Sequence, residues 1–248
     1  MTGGLSGIGR AIAQRFVDDG MIVYVGARRG NDPAFQENLR TTFGKSISVR
    51  ALDVRRSDSV ATFVDAIVET HGKVDVLVNA AGVYEEAAVI DHPDSMWHET
   101  IDTNLTGTFK MIRAVMPLMM TAKWGRIINI ASVAAHQGMA RNAAYCASKA
   151  GLLGLGRCVS LEGADHGITC NSISPTWVET EMLQQFIEHD MQRLGQSRVE
   201  ARATYEASNP QGKLVQPDEI AGLASFLASD AARAMTMADY QVNAGSLW

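Results

Sequence analysis

The chain has no apolar run approaching the roughly 20 residues that a membrane-spanning helix needs, and Met1 leads directly into Thr2-Gly3-Gly4. A basic stretch followed by an apolar core, the pattern of a secretory leader, is not what this beginning offers, so neither a membrane nor an export route is expected. Cysteine is scarce: Cys146, Cys158 and Cys170 are odd in number and have no close pair. That argues against a disulfide framework or a metal knuckle and for a reducing, cytoplasmic compartment. All three are read as buried, unreactive packing. The six histidines, at 71, 92, 98, 136, 166 and 189, form no ligand-like cluster with cysteines or carboxylates, so no metal is expected. A strong excess of one charge is also missing, with 22 Lys and Arg against 27 Asp and Glu and a net charge of -5. General attraction to nucleic acid or an anionic membrane is therefore not expected.

What is present is ordinary globular material, 248 residues of which 46% are hydrophobic and 20% charged, enough for one large core. No internal repeat, low-complexity tract or linker divides it, so residues 1–248 read as one domain. Short β-branched runs alternate with amphipathic stretches, the pattern of an α/β fold with a doubly wound parallel sheet. Strands are predicted at Met21 to Val25, Ile47 to Leu52, Val74 to Val78, Arg126 to Ile130 and Ile168 to Ile173. Helices are predicted over about 8–19, 34–43, 58–71, 94–122, 143–165 and 217–229. Between Thr180 and Gly212 the strand pattern lapses into a polar, methionine-containing segment. It reads both as a candidate substrate lid over 180–212 and as extra helix packed by Met182, Leu183, Phe186 and Met191.

Gly3, Ser6, Gly7, Ile8 and Gly9 form a glycine-rich turn opening a helix, a geometry that lets backbone approach a bulky anion in front of free N–H groups. Such a turn also serves as a plain connection. It should follow a strand, yet only Met1 and Thr2 precede it, so the first central strand reads as truncated. A natural chain beginning about 5–8 residues further upstream is the expectation, one strand being about that long. Tyr145 and Lys149 lie four apart on a helix and share a face. A neighbouring ammonium is expected to lower the phenol from its usual value near 10, giving an acid/base group.

With Thr2-Gly3, Gly7-Ile8-Gly9, Asp53-Val54, Asn79-Ala80-Ala81-Gly82, Asn104, Ser132, Tyr145-x-x-x-Lys149 and Pro175 to Thr180 in this order, the chain resembles the short-chain dehydrogenase/reductase family. The resemblance spans essentially the whole sequence apart from the first strand. It implies a Rossmann-like fold and a soluble enzyme moving hydride between a nicotinamide dinucleotide and a small-molecule alcohol or carbonyl substrate. By resemblance, Tyr145 is the proton donor or acceptor, Lys149 binds the nicotinamide ribose and tunes the tyrosine, and Ser132 binds the substrate oxygen. Asn104 holds a water linking Lys149 to solvent, or is simply a helix-bend residue. Asn79, Ala80 and Gly82 border the adenosine ribose, and Asp53 and Val54 flank the adenine, Asp53 being equally readable as a helix cap. Pro175, Val178 and Thr180 meet the nicotinamide. Thr176 departs from the Pro-Gly with which that segment commonly begins.

Cofactor choice turns on the end of the second strand of a dinucleotide fold, where Ala27 stands in the place of an acid and Arg28 and Arg29 follow. That favours NADP, with NAD still open because Arg28 can stack on adenine and Asp32 is near. Met139, Trp177, Met182 and Phe186 are candidate apolar walls, and Gln137, Arg141, Glu179 and Gln184 candidate polar contacts. The reading leans to a polyol, sugar-derived or hydroxy-acid substrate, the alternatives being a ketoacyl thioester, a hydrophobic ketone, or a catalytically silent dinucleotide-binding sensor. His136 is a further candidate for pocket contact. The family implies a homotetramer or homodimer paired through the helices at 94–122 and 143–165, with the C-terminal Gln241 to Trp248 either mobile or packed across a subunit contact.

Overall fold

The structure is a computed structural model and describes residues 1–33, 36–37 and 47–246. Strands β1 (Val23–Ala27), β2 (Ile47–Ala51), β3 (Val76–Asn79), β4 (Gly125–Ile130), β5 (Ile168–Pro175) and β6 (Asp239–Val242) are all parallel. β1 pairs with β2, and β3 through β6 pair in sequence order. Between the two groups stands Thr2, bridged in parallel to Gly26 on one side and Asn79 on the other. Its N–H donates to Val78 O at 2.9 Å, while Met1 O accepts from Gly26 N at 2.9 Å. Two residues thus do the pairing of the central strand that the sequence pattern lacks. The Met1 amino group is buried, which lowers it to about 5, and donates to Tyr24 O.

Helices cover both faces. On one, α1 (Gly7–Asp18) packs with α8 (Pro217–Ala228), joining Ile12, Phe16 and Ile220 to Val25, Val78 and Ile173. On the other, α2 (Ser57–His71), α4 (Gly107–Ala122) and α5 (Ala143–Gly163) close over Leu77, Ile127 and Cys170 through Phe63, Met111 and Val159. Both cores are apolar stripes at helical spacing against strands buried on both faces, the arrangement that parallel sheets require. Helix α3 (Asp94–Ile101) runs into α4 through a π-helical turn, Asp102–Thr106, so the helix predicted over 94–122 exists but carries an interruption centred on Asn104. π-turns insert a residue into the ladder and are found disproportionately at functional sites.

The segment after β5 forms two helices, α6 (Glu181–Leu194) and α7 (Arg198–Ala207), with a small core of its own from Leu183, Ile187, Ala201 and Leu214. Leu183 and Met191 pack as expected, but Met182 is 44% exposed. β6 was not expected: Asp239-Tyr240-Gln241-Val242 is short and half-exposed, without the apolar run that marks the other strands. It gives the C-terminal segment a fixed place, while residues 247–248 lie outside the described part. The predicted helix at 34–43 also falls almost wholly outside the described residues. Of the three cysteines only Cys170 is buried; Cys146 is intermediate and Cys158 exposed, so the reading of all three as core holds for one.

Candidate active site

A cleft of about 460 Å3 runs across the carboxyl ends of β1 and β3, where ligands sit in open α/β sheets. Its floor is backbone. Gly3 has φ +66, and a Cβ there would lie 2.6 Å from the Ala80 backbone. A Cβ on Gly9 would lie 2.1 Å from Gly3 O, so the turn and the first turn of α1 touch directly. Ser6 precedes α1 in extended conformation and makes no side-chain cap; of the helix N-terminal N–H groups beside the cleft, that of Gly7 is taken by Glu181 Oε2 at 3.0 Å. The Thr2 hydroxyl accepts from the N–H groups of Ala80 and Ala81 at 3.2 and 3.1 Å, binding the loop after β3 to the glycine turn. Ala80 and Gly82 line the cleft, as do Gly3, Ser6, Gly7, Ile8 and Gly9.

Asp53, Val54 and Arg28 line it too. Asp53 is not the cap of α2, which begins at Ser57 after Arg56; its carboxylate accepts from the Arg55 guanidinium at 2.8 and 2.9 Å and from the Arg55 N–H at 3.0 Å. The hydrogen bond from Arg55 is the main cause holding its carboxyl below the usual range. Arg55 also lines the cleft, a residue the sequence reading passed over because nothing in Asp-Val-Arg-Arg says which arginine turns inward. Arg29 pairs with Asp32 at 2.9 Å and is not among the lining residues. Asn79 sits below the cleft, buried, donating to Asn129 Oδ1 at 2.9 Å between β3 and β4.

Beyond Gly82 the cleft continues into a second cavity of about 250 Å3, sharing Ile8, Ala80, Ile130, Thr180 and Met182 with the first. Ser132, Tyr145 and Lys149 lie on one wall. Ser132 caps the short 3-10 turn after β4, its Oγ accepting from Ala134 N at 3.1 Å. Tyr145 and Lys149 stand on α5, with the Lys149 Nζ 5.6 Å from the Tyr145 ring centroid. Lys149 donates to Ile130 O at 2.8 Å. Asn104, 1% exposed in the π-turn, accepts from Val83 N at 2.8 Å and donates to Val83 O and to Ser148 Oγ at 3.0 and 3.1 Å. It thereby fastens the loop after β3 to α5. Its remaining lone pair faces the space at Gly82, whose Cβ position is 3.4 Å from Asn104 Oδ1 and 3.8 Å from Lys149 Nζ. It is more than a helix-bend residue.

One expectation about this wall is corrected. Lys149 does not pull the Tyr145 phenol down; burial pushes the phenol up, the hydrogen bond with Ser132 opposing it. Burial also lowers Lys149, to about 8. Desolvation dominates because neither group meets a formal counter-charge, and the ammonium is spent on a carbonyl instead of the phenol oxygen. Tyr145 is therefore protonated at neutral pH.

The opposite wall is aromatic. Tyr84 packs edge-on against Tyr145 at 4.9 Å and against Phe186 at 4.7 Å; Phe186 meets Trp177 at 5.7 Å, and Trp177 meets Tyr205 at 4.8 Å. Tyr84 escaped the sequence reading, since its ring reaches the site from a loop with no periodic signal. Met139, Trp177, Met182, Phe186 and Gln137 line the cavity as expected. Arg141, Glu179 and Gln184 do not: Arg141 lies 3.8 Å from Glu86, and Glu179 is held by Arg202 and Gln184. His136 is held by Asp239 at 2.6 Å and does not line the cavity. Thr176 needs no left-handed backbone; its hydroxyl donates to Asn209 Oδ1 at 3.0 Å, tying the loop after β5 to the end of α7. Pro175, Val178 and Thr180 line the cavity, joined by Ser246 from beyond β6. Among the described residues no cluster of His, Cys, Asp and Glu suits a metal, and no helix is long and apolar enough to cross a membrane.

Comparison with known proteins agrees with this geometry. A family model described as enoyl-(acyl carrier protein) reductase matches residues 3–246. An acetoacetyl-CoA reductase of Allochromatium vinosum is 35% identical over 247 residues, covering 99% of this chain and 96% of the relative. The 3-oxoacyl-(acyl-carrier-protein) reductase FabG of Salmonella typhimurium is 35% identical over 245 residues, covering 99% and 95%. Among solved structures, a single-residue tryptophan variant of actinorhodin polyketide ketoreductase with NADPH superposes with a TM-score of 0.92 at 36% identity, over 99% of this chain and 95% of that one. With the motifs in order along the chain and its fold and sequence matching these reductases, the protein belongs to the short-chain dehydrogenase/reductase family and is an NAD(P)-dependent oxidoreductase of the alcohol and ketone pair.

Proposed function

We propose that the protein reduces the ketone of a 3-ketoacyl-type substrate to the secondary alcohol, using NADPH. The observation that carries this is the joined pair of cavities: a backbone-floored cleft of about 460 Å3 opens at Gly82 into an aromatic pocket with Ser132, Tyr145 and Lys149 on its wall. The polyol preference loses its support, because three of the four polar candidates are engaged elsewhere and the remaining one, Gln137, faces an apolar majority. An acyl chain bearing a ketone fits that lining. The ketoacyl relatives add to the case.

When bound in the cleft, a nicotinamide dinucleotide would supply the hydride for the carbonyl carbon. Tyr145, kept protonated by burial, gives its hydroxyl proton to the carbonyl oxygen, so that hydride and proton together make the alcohol. Ser132 holds that oxygen in place. Lys149 holds the ribose and, charged below about 8, resupplies the proton toward Tyr145, with Asn104 Oδ1 fixing the water beside it. For the second phosphate of NADPH, Arg28 is the residue at the cleft, and Ala27 leaves no carboxylate at the strand end to repel it. The Asp53 carboxylate, also at the cleft, has its charge balanced by the Arg55 guanidinium. Helices α6 and α7 form the lid. A homo-oligomer pairs α4 and α5, on which Phe109 and Leu161 stand 43% and 69% exposed.

The test is a panel of acetoacetyl-CoA, longer 3-ketoacyl thioesters, cyclic ketones, polyols and hydroxy acids, followed by NADPH consumption or formation. The highest kcat/KM belongs to a ketoacyl thioester. A polyol or hydroxy acid turned over more efficiently than every ketoacyl thioester overturns the substrate assignment.

A further inference from the structure

The first residue of α6 reaches into the dinucleotide cleft. Glu181 Oε2 accepts a hydrogen bond from Gly7 N at 3.0 Å, across 174 residues of sequence. An acid in the first turn of a helix ordinarily serves its own helix. Here that need is met by Thr180, whose side chain accepts from Leu183 N, and the Glu181 carboxylate instead caps α1, at the glycine turn. The approach is close: a Cβ on Gly7, whose φ is +47, would lie 3.0 Å from Thr180 Cγ2 and 3.7 Å from Glu181 Oε2. Thr180 and Met182, on either side of Glu181, line both cavities.

We propose that Glu181 is an affinity-setting residue for the cofactor: an internal carboxylate on the Gly7 N–H that the diphosphate of the incoming dinucleotide must displace. The inference rests on the dinucleotide reading of the cleft. One N–H cannot serve a carboxylate and a phosphate oxygen together, and the two anions repel at this range. Glu181 therefore weakens binding of oxidised and reduced cofactor alike and favours release of the spent one. Because Glu181 is continuous with Thr180 and Met182, its departure shifts the first turn of the lid at the junction of the two cavities. The diphosphate is common to NADPH and NADH, so the effect is indifferent to the 2′-phosphate that Arg28 meets.

The experiment measures dissociation constants of NADPH, NADH and adenosine, by fluorescence or calorimetry, for the unsubstituted protein, Glu181→Gln and Glu181→Ala, with thermal melting to confirm that each is folded. Both variants are expected to bind NADPH and NADH roughly three- to tenfold more tightly, by the same factor, with the gain shrinking as salt rises. Adenosine, which carries no phosphate, binds all three proteins alike. If the unsubstituted protein binds neither dinucleotide, the cofactor reading falls and this inference with it. If it binds them but the folded variants bind no more tightly, or gain for NADPH and not NADH, the cofactor reading stands and the role of Glu181 is wrong.

Discussion

The two halves of the site are made of different material. The cleft at β1 and β3 is backbone, its shape fixed by Gly3 and Gly9, where an added Cβ would lie 2.6 and 2.1 Å from neighbouring backbone. The pocket beyond Gly82 is side chain, a row of rings running from Tyr145 through Tyr84, Phe186 and Trp177 to Tyr205. Backbone sites tolerate almost no change. Side-chain sites change a residue at a time, and with them the substrate. The difference explains why the cofactor is easier to assign than the compound reduced.

The comparison breaks most visibly at Gly9. Gly9→Ala places a Cβ against Gly3 O in a junction with no flexible side chain to yield. It is expected to destabilise the fold by about 2–3 kcal/mol and to abolish dinucleotide binding, read by thermal melting and titration. A melting temperature and cofactor affinity equal to the parent's would show that the turn is not the rigid floor described. Next is Arg28→Ala, which removes a charged donor at the cleft. NADPH affinity should fall roughly 10- to 100-fold with NADH affinity nearly unchanged; equal losses for both would mean that Arg28 stacks on adenine instead.

Across the junction, Trp177→Ala cuts the ring row between Phe186 and Tyr205. The expected effect is a rise in substrate KM of about fivefold to tenfold with cofactor affinity intact, separating the pocket from the cleft by a measurement on each. The smallest effect is in pH. Lys149 is lowered by burial to about 8, so it is charged below that pH and neutral above it, and the rate of ketone reduction should fall as pH rises through about 8. Lys149→Arg, which stays charged, should move that limb upward even as it lowers the maximum rate. A limb unmoved by the substitution assigns the titration to another group.

What could be read from the sequence follows the same division. The five buried strands announce themselves as β-branched runs, and the glycine turn and the Tyr145 to Lys149 spacing fix positions that backbone geometry alone determines. β6 escaped because a half-exposed Asp-Tyr-Gln-Val carries no apolar run. The π-turn at Asn104 escaped as well, since it shifts the helical phase by a single residue and no residue type marks the insertion. Tyr84 and Glu181 are beyond a linear reading for a shared reason: each acts on residues brought to it only by the fold, Glu181 on Gly7 most plainly, whereas Arg55 pairs with Asp53 two residues away and only the choice between it and Arg56 is hidden. The charge relation of Lys149 and Tyr145 was misjudged because helical spacing gives a common face but says nothing of burial, and burial decides both groups.

The central claim is that a dinucleotide bound in the backbone cleft meets a proton donor on the pocket wall, and the most direct test is Tyr145→Phe measured twice, by NADPH titration and by turnover of a ketoacyl thioester. The account predicts NADPH affinity within about twofold of the parent and a fall in kcat of roughly a thousandfold. A variant that keeps the parent's turnover, or a parent protein that binds no nicotinamide dinucleotide at all, contradicts it.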